Sequence, residues 1–408
     1  MKVQGLLDLD LDGAPSSKPA SQVATFAEGL GRDSRSNGSS TGRTSTSRPA
    51  RRPRSCDEGS SRTDTLWDVP LSGLTPSRPS APPVTVAGRR LQPTPVFDTY
   101  WRFAAKRQAV YEARVAGLDG PWTDDPILSA HRFTNCYRAA DRVSQFLISD
   151  VLYHGDQSPR EVVFRALLFK LFNKIGTWNR LKSAVGMPSW RAFDFDAYDR
   201  VLSSALDQRQ TLYSAAYVMP PPHLGEHRKH QNHLRLLELM LHDDAAEKAH
   251  AAGSLRSVYE LLRSYPALGP FLAFQLTIDL NYSSVVNFPE SDFVVAGPGA
   301  RDGIRKCFGE APRGAEEELI HYMVETQDEH FERLGLEFNG LAGQRPLQPI
   351  DCQNLFCEVD KYARVAHPEI SGVSGRTRIK QRYRRDLASV TAWFPPKWGI
   401  NQLLPSGA

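Results

Sequence analysis

Between Leu262 and Gly309 the chain gathers residue types suited to holding and attacking a polar, phosphate-bearing substrate. A helix over Ser254–Leu262 meets the tight turn Tyr265-Pro266-Ala267-Leu268-Gly269, and Gly269 opens a second helix. Two helices joined this way turn backbone N–H groups outward at the second N-terminus, where they and the helix dipole attract a phosphate. About twenty residues later Glu290-Ser291-Asp292 opens a further helix with two carboxylates. A carboxylate at a helix start is held ionised and aimed, as a general base or charge stabiliser requires. Asp is equally a favoured helix cap, so the capping role stands beside the catalytic one.

A second concentration of polar groups runs from His131 to Gln145. A helix predicted over Phe133–Leu152 carries Asn135, Tyr137, Arg138, Arg142 and Gln145. Further on come Gln275, Asn281 and Tyr282. Asn and Gln offer the paired donors and acceptors that read a base edge, Tyr a ring for stacking, and Arg a charge for phosphates. The plainer alternative has Arg138, Asp141 and Arg142 pairing along a solvated face. Asp279 lies between Ile278 and Leu280 and reads as a satisfied buried carboxylate. His223, His227, His230 and His233 have spacings a metal could use, but no cysteine or carboxylate set accompanies them, and no metal is assigned. Asp351, Asp360 and Lys361 fit either structural ion pairs or the far wall of a pocket.

The elements that must position these groups are helical. Apolar periodicity predicts helices from about Phe97 to Ala116, then over Ser158–Phe172, Trp178–Ala184, Phe195–Met219, His230–Met240, Gly299–Phe308, Ala315–Leu334 and Asp351–Ala363. The best strand signal, Ser284–Phe288, is short. Residues 1–88 are rich in Ser, Arg, Gly, Pro and Thr and read as a disordered tail, with Arg51-Arg52-Pro53-Arg54 as a basic arm or nuclear address. Residues 89–395 read as the helical domain and 396–408 as a short C-terminal tail. The five cysteines are scattered with no CxxC, which argues against disulfide and zinc frameworks. No apolar run spans a bilayer and no signal peptide opens the chain. The expectation is a soluble intracellular protein with no membrane partner, nuclear if the source is eukaryotic. The net charge of +4 confines any nucleic-acid footprint to a local patch.

The hairpin and the following carboxylate resemble the helix–hairpin–helix DNA glycosylases. In that superfamily an L-P-G-x-G hairpin precedes a catalytic Asp, here Asp292. Ala267 replaces the first hairpin glycine, and Phe271 stands near the position of the lysine that Schiff-base enzymes carry, which excludes that mechanism. Four stretches in combination resemble one narrower family. They are R-F-T-N-C-Y-R-A-A-D-R-V-S-Q, Y-P-A-L-G-P-F-L-A-F-Q-L, E-S-D-F-V-V-A-G-P-G-A and I-D-C-Q-N-L-F-C-E-V-D-K-Y. The family is the helical domain associated with 5-hydroxymethyluracil DNA kinases, also described as the α-glutamyl/putrescinyl-thymine pyrophosphorylase group. The resemblance covers about Pro93 to Ala366 and implies an all-α, glycosylase-like domain acting on hypermodified thymine in DNA.

It further implies a flipped, 5-substituted base. Asp292 or Glu290 would act as base, and Asn135, Tyr137, Gln145, Gln275, Asn281 and Tyr282 would hold the base. Arg138, Arg142 and the N–H groups at Gly269 would hold phosphates. The resemblance calls for no resident cofactor beyond Mg²⁺ carried in by a phosphorylated substrate. This sequence has no P-loop, so a separate P-loop DNA kinase or thymine-oxidising enzyme is the expected partner. A catalytically idle DNA reader and a monofunctional base-excision glycosylase are the alternatives.

Overall fold

Proline in the first turn opens six of the described α-helices. The computed structural model describes residues 81–215, 219–310, 312–384 and 390–405. Thr94 precedes Pro95 and its hydroxyl accepts from Val96 N at 3.1 Å, which starts α1, Pro95–Val115. Asp125 does the same for α2, Pro126–Ala130. Proline fixes the first helical φ at a position whose N–H has no intrahelical partner anyway. The same device opens α4, α10, α11 and α14 below. Next in the chain come α3, Arg142–Phe146, and α4, Pro159–Phe172. Then follow α5, Ile175–Val185, α6, Phe195–Asp207, α7, Lys229–His242, α8, Ala245–His250, and α9, Leu255–Arg263. The remaining helices are α10, Pro270–Asn281, α11, Pro298–Phe308, α12, Glu316–Glu325, α13, Gln327–Arg333, and α14, Pro349–Ala366.

The fold is all-α, with one two-stranded ribbon among the described residues. β1, Val84–Val86, pairs antiparallel with β2, Arg89–Leu91, in register Val84↔Leu91. Ala87 and Gly88 both take positive φ, as a two-residue hairpin of this hand demands. Val84, Val86 and Leu91 are buried, so the ordered domain starts before residue 89 and takes in part of the expected tail. The rest of that tail, through residue 80, lies outside the described residues. Within the stretch expected as a C-terminal tail, Ile400 is buried and short 3₁₀ turns form at Pro396–Trp398 and Asn401–Leu403.

One group of helices, α1, α11, α12 and α14, packs together; α4 to α8 form another, and α9 and α10 join them. α4 is the hub of the second, buried at every position from Glu161 to Phe172. α11 and α14 make the closest pair. A Cβ on Gly303 would stand 2.0 Å from Phe356 O, so only glycine lets the two backbones meet. That contact fixes α14, and with it Asp351.

Four predicted elements differ in the structure. Phe133–Leu152 is not one helix: a 3₁₀ turn at Arg138–Ala140, then α3, then a π turn over Leu147–Leu152 replace it. The Asp141 carboxylate accepts from Asn135 N at 2.8 Å, a side-chain bond that competes with the helical ladder. The long helix from Phe195 stops at Asp207, with Arg209 left-handed just beyond. Thr326 separates α12 from α13. Ser284–Phe288 is not a strand, because other groups take its backbone. Asn281 clamps Phe288 N and O at 2.9 and 3.0 Å, and Val286 O accepts from Lys397 at 2.7 Å.

Candidate active site

A short turn joins α9 to α10. Ala267 sits at φ +63°, the left-handed region that favours glycine. Gly269, exposed, caps α10. The short 3₁₀ turn Glu290–Asp292 follows, and it treats its two acids differently. Asp292 is exposed at the end of the turn; Glu290 is buried at 6% exposure.

Glu290 faces inward where the two helical groups meet. Arg345 Nη2 lies 3.2 Å from its Oε1 without the alignment of a hydrogen bond. Burial pushes the Glu290 carboxyl up, while Arg345, Lys397 and Arg138 pull the other way. Asp351, in the first turn of α14, accepts from Arg138 N at 2.8 Å and from Gln348 N at 3.1 Å. Burial first, and then the Glu290 charge, push Asp351 up to about 7. Two buried acids pushed upward side by side are a setting for proton transfer near neutral pH.

Cations and aromatic rings surround the pair. Arg138 is 4% exposed; its guanidinium bonds Gln275 Oε1 at 2.9 Å and pairs with Asp279 at 2.8 Å. Asp279 also meets Lys170 at 3.2 Å, and burial lowers that lysine's pKa. Lys397 donates to the carbonyls of Asn281, Ser283 and Val286 at 2.5–3.0 Å. Burial brings its ammonium down to about 8. Arg345 lies 3.9 Å over the Trp398 ring, and Trp398 meets Tyr282 edge to face at 5.7 Å. Four cations, Arg138, Lys170, Arg345 and Lys397, thus face three carboxylates, Asp279, Glu290 and Asp351. The excess of positive charge suits an anionic substrate.

The sequence-derived candidates divide. Glu290, Arg138, Gln275 and Tyr282 come together in this cluster. Arg138 is an interior residue there, because Asp279 holds it from below, and it offers no surface for a phosphate track. Tyr137 is buried and its hydroxyl donates to Arg345 O at 2.7 Å, which orients that loop and leaves no ring face for a base. Asn135 braces a turn through Arg107 and Ala140 O. Gln145 bonds Ala139 O and Trp393 N. Asn281 is the clamp on Phe288. Arg142 and Asp292 stand in solvent. Arg345, Lys397 and Trp398 were missed; a lysine and a tryptophan straight after Pro395-Pro396 were the available signal.

Elsewhere the histidines serve the fold. His230 meets Asp199 at 2.7 Å, and His233 bonds Tyr213 and Pro220 O. Among the described residues no group of three or more His, Cys, Asp or Glu side chains is arranged to hold a metal. An open cleft of about 530 Å³ lies at Ser158, Arg160, Trp190 and His250, but Asp244 and Glu247 occupy its arginine. No described helix is long and apolar enough to cross a membrane.

The fold and the buried pair define an all-α domain that holds two poised acids beneath a cationic, aromatic cover. The chain belongs to the family of the 5-hmdU DNA kinase helical domain, whose model matches residues 94–372. A protein named 5-hmdU DNA kinase, from Bacillus phage SP10, is 24% identical over 286 residues. That match takes in 65% of this chain and 45% of the phage protein, so the chain spans less than half of that relative. No solved structure matches.

Proposed function

We propose that this domain processes a 5-substituted thymine in DNA, acting on a base flipped out of the helix and carrying a phosphoryl or pyrophosphoryl group on its 5-methylene. The observation that carries the reading is the buried Glu290–Asp351 pair under Arg345 and Lys397. The C–O bond to the phosphate breaks with its electron pair, and the cationic wall receives the departing anion. An amine or water then bonds to the electron-poor methylene, and Glu290 takes the proton that the nucleophile loses. Asp351, half protonated near pH 7, supplies or accepts the second proton.

Trp398, half-buried, walls the base, and Tyr282 backs it from inside. Gly269 and Arg142 lie outside and remain the proposed contacts to flanking phosphates. Glu290 is too buried for a base to reach unless the Arg345–Trp398 cover shifts. A separate P-loop kinase supplies the phosphate, after a thymine-oxidising enzyme has made the hydroxymethyl group. Mg²⁺ enters only with the phosphorylated substrate.

The test is mass spectrometry of nucleosides after the full chain is incubated with phosphorylated hydroxymethyluracil DNA and an amine. The expected product is a nucleoside substituted or hydrolysed at the 5-methylene. Release of free base would replace this reading with base excision. Binding without any change to the nucleosides would leave a DNA reader.

A further inference from the structure

Beyond α14, and beyond the stretch that the family model matches, the chain reads Arg376-Thr377-Arg378-Ile379-Lys380-Gln381-Arg382-Tyr383-Arg384. A cation stands at every second position. The segment contains no helix or turn from Gly375 to Arg384. In extended chain successive side chains point to opposite sides, so a two-residue repeat puts all five cations on one side. Burial agrees: the five cations are exposed, while Ile379 and Tyr383 are half-buried and Ile379 packs on the core.

The row is held in place by three anchors. At its start the buried Asp302 carboxylate accepts from Ser374 N and Oγ at 2.6 and 2.7 Å and pairs with Arg376 at 2.7 Å. In the middle Arg364 donates to Arg378 O at 3.1 Å. At its end Arg132 N bonds Gln381 O and Tyr383 N bonds Ala130 O, around the antiparallel bridge His131↔Arg382. No acidic residue lies between Ser371 and Arg384. Among the described residues, the only ion pair made by the five cations is that of Arg376 with Asp302.

We propose that Arg378, Lys380, Arg382 and Arg384 form a docking track for the backbone of one DNA strand, a fixed ladder of cations that sets the register of the substrate. The proposal rests on the reading of DNA as substrate and says where its backbone runs. Cations two residues apart in extended chain repeat every ~6.6 Å, close to the step between successive phosphates along one strand. A one-dimensional repeat of even spacing fits a linear polyanion. A lipid surface spreads its charge in two dimensions, and an acidic protein patch has no such period. Arg364, which anchors the track, lies thirteen residues along α14 from Asp351, about 20 Å at 1.5 Å per residue. The Arg378 end of the track therefore lies roughly six base-pair rises, at 3.4 Å each, from the base being processed. Phosphate contacts of this kind give register and affinity and leave base choice to the pocket.

The experiment compares the full chain with its Arg378→Ala, Lys380→Ala, Arg382→Ala, Arg384→Ala quadruple variant. Binding to a fluorescent duplex and to a single strand is followed by anisotropy over a salt series. The N-terminal arginines are common to both proteins and cancel in the difference. The variant is expected to bind at least tenfold more weakly at low salt. Its log–log salt slope should fall by about three, at roughly 0.7–0.9 per phosphate released. An unchanged slope overturns the track. So does a loss of binding to phosphatidylserine vesicles that is not matched by any loss on DNA, which would make the row a lipid contact. Should the quadruple variant fail to fold, the four single substitutions, each expected to lower the slope by about 0.8, carry the same decision. Nucleoside analysis at saturating DNA separates the two readings. A failed functional reading shows no product from the wild-type chain, whereas a failed track leaves product formation and the salt slope alike in both proteins.

Discussion

Helix α14 buries an aspartate toward each end, and the surroundings treat the two in opposite ways. Asp360 is closed in by cations: Lys306 Nζ lies 3.2 Å from one oxygen and Arg364 contacts the other. Asp351 accepts from the backbone N–H groups of Arg138 and Gln348, and the Glu290 charge acts on it more strongly than the Arg345 cation that opposes it. Equal burial therefore gives two kinds of carboxylate. One is paired with two cations and staples α11 to α14. The other sits near the point where charged and neutral forms balance, which is useful to chemistry and costs stability at neutral pH.

The sharpest way to test the contrast is to remove each acid in turn. Glu290→Gln, which keeps shape and removes the base, is expected to lower turnover by about 100- to 10,000-fold while the fold survives. Normal product formation in the nucleoside assay would sink its role. Asp360→Ala should instead cost about 3–5 kcal/mol in urea unfolding, because it strands Lys306 in the interior. Turnover per folded molecule should hold, and a selective loss of rate would blur the distinction. Lys397→Met should cost about 1–3 kcal/mol, since three carbonyls lose their donor. It should also move the acid limb of the rate profile to higher pH, because a cation that lowers the Glu290 pKa is gone.

The pH dependence of stability probes Asp351 directly. Its folded pKa is raised from 3.8 to about 7, so its contribution is full below the unfolded value and fades as pH rises through 7. Stability should therefore fall by on the order of 1–2 kcal/mol between pH 5 and 7, and Asp351→Asn should flatten that decline. An equal slope in the variant would assign the decline to other groups. The smallest effect is expected from Asp292→Asn, within about 0.5 kcal/mol for an exposed site. Should it instead lose as much rate as Glu290→Gln, the exposed acid takes over the catalytic role.

Local chemistry made several features readable from the sequence. Ser158 followed by Pro159 announced α4, and the turn at Ala267 was visible as two helices meeting at Tyr265–Gly269. The motif stretches pointed to the family. These depend on neighbours within a few residues, where capping, φ restriction and periodicity act.

Which acid is buried was not legible, because Glu290 and Asp292 lie in the same turn and differ only in what packs over them. Arg138 looked like a surface cation until Asp279, 141 residues away in sequence, was seen beneath it. The predicted helix over Phe133–Leu152 failed for the same reason. Bonds from Asp141, and the draw of Arg138 into the interior, outweighed helical periodicity. Arg345, Lys397 and Trp398 come from loops without periodic signal, and they reach the site only because Lys397 finds three carbonyls at the end of α10. The sequence by itself determined most of the helices and the chemical repertoire. The tertiary structure alone decided which carboxylates lose their water and which gain a cation, because desolvation and charge pairing depend on distances across the fold rather than along the chain.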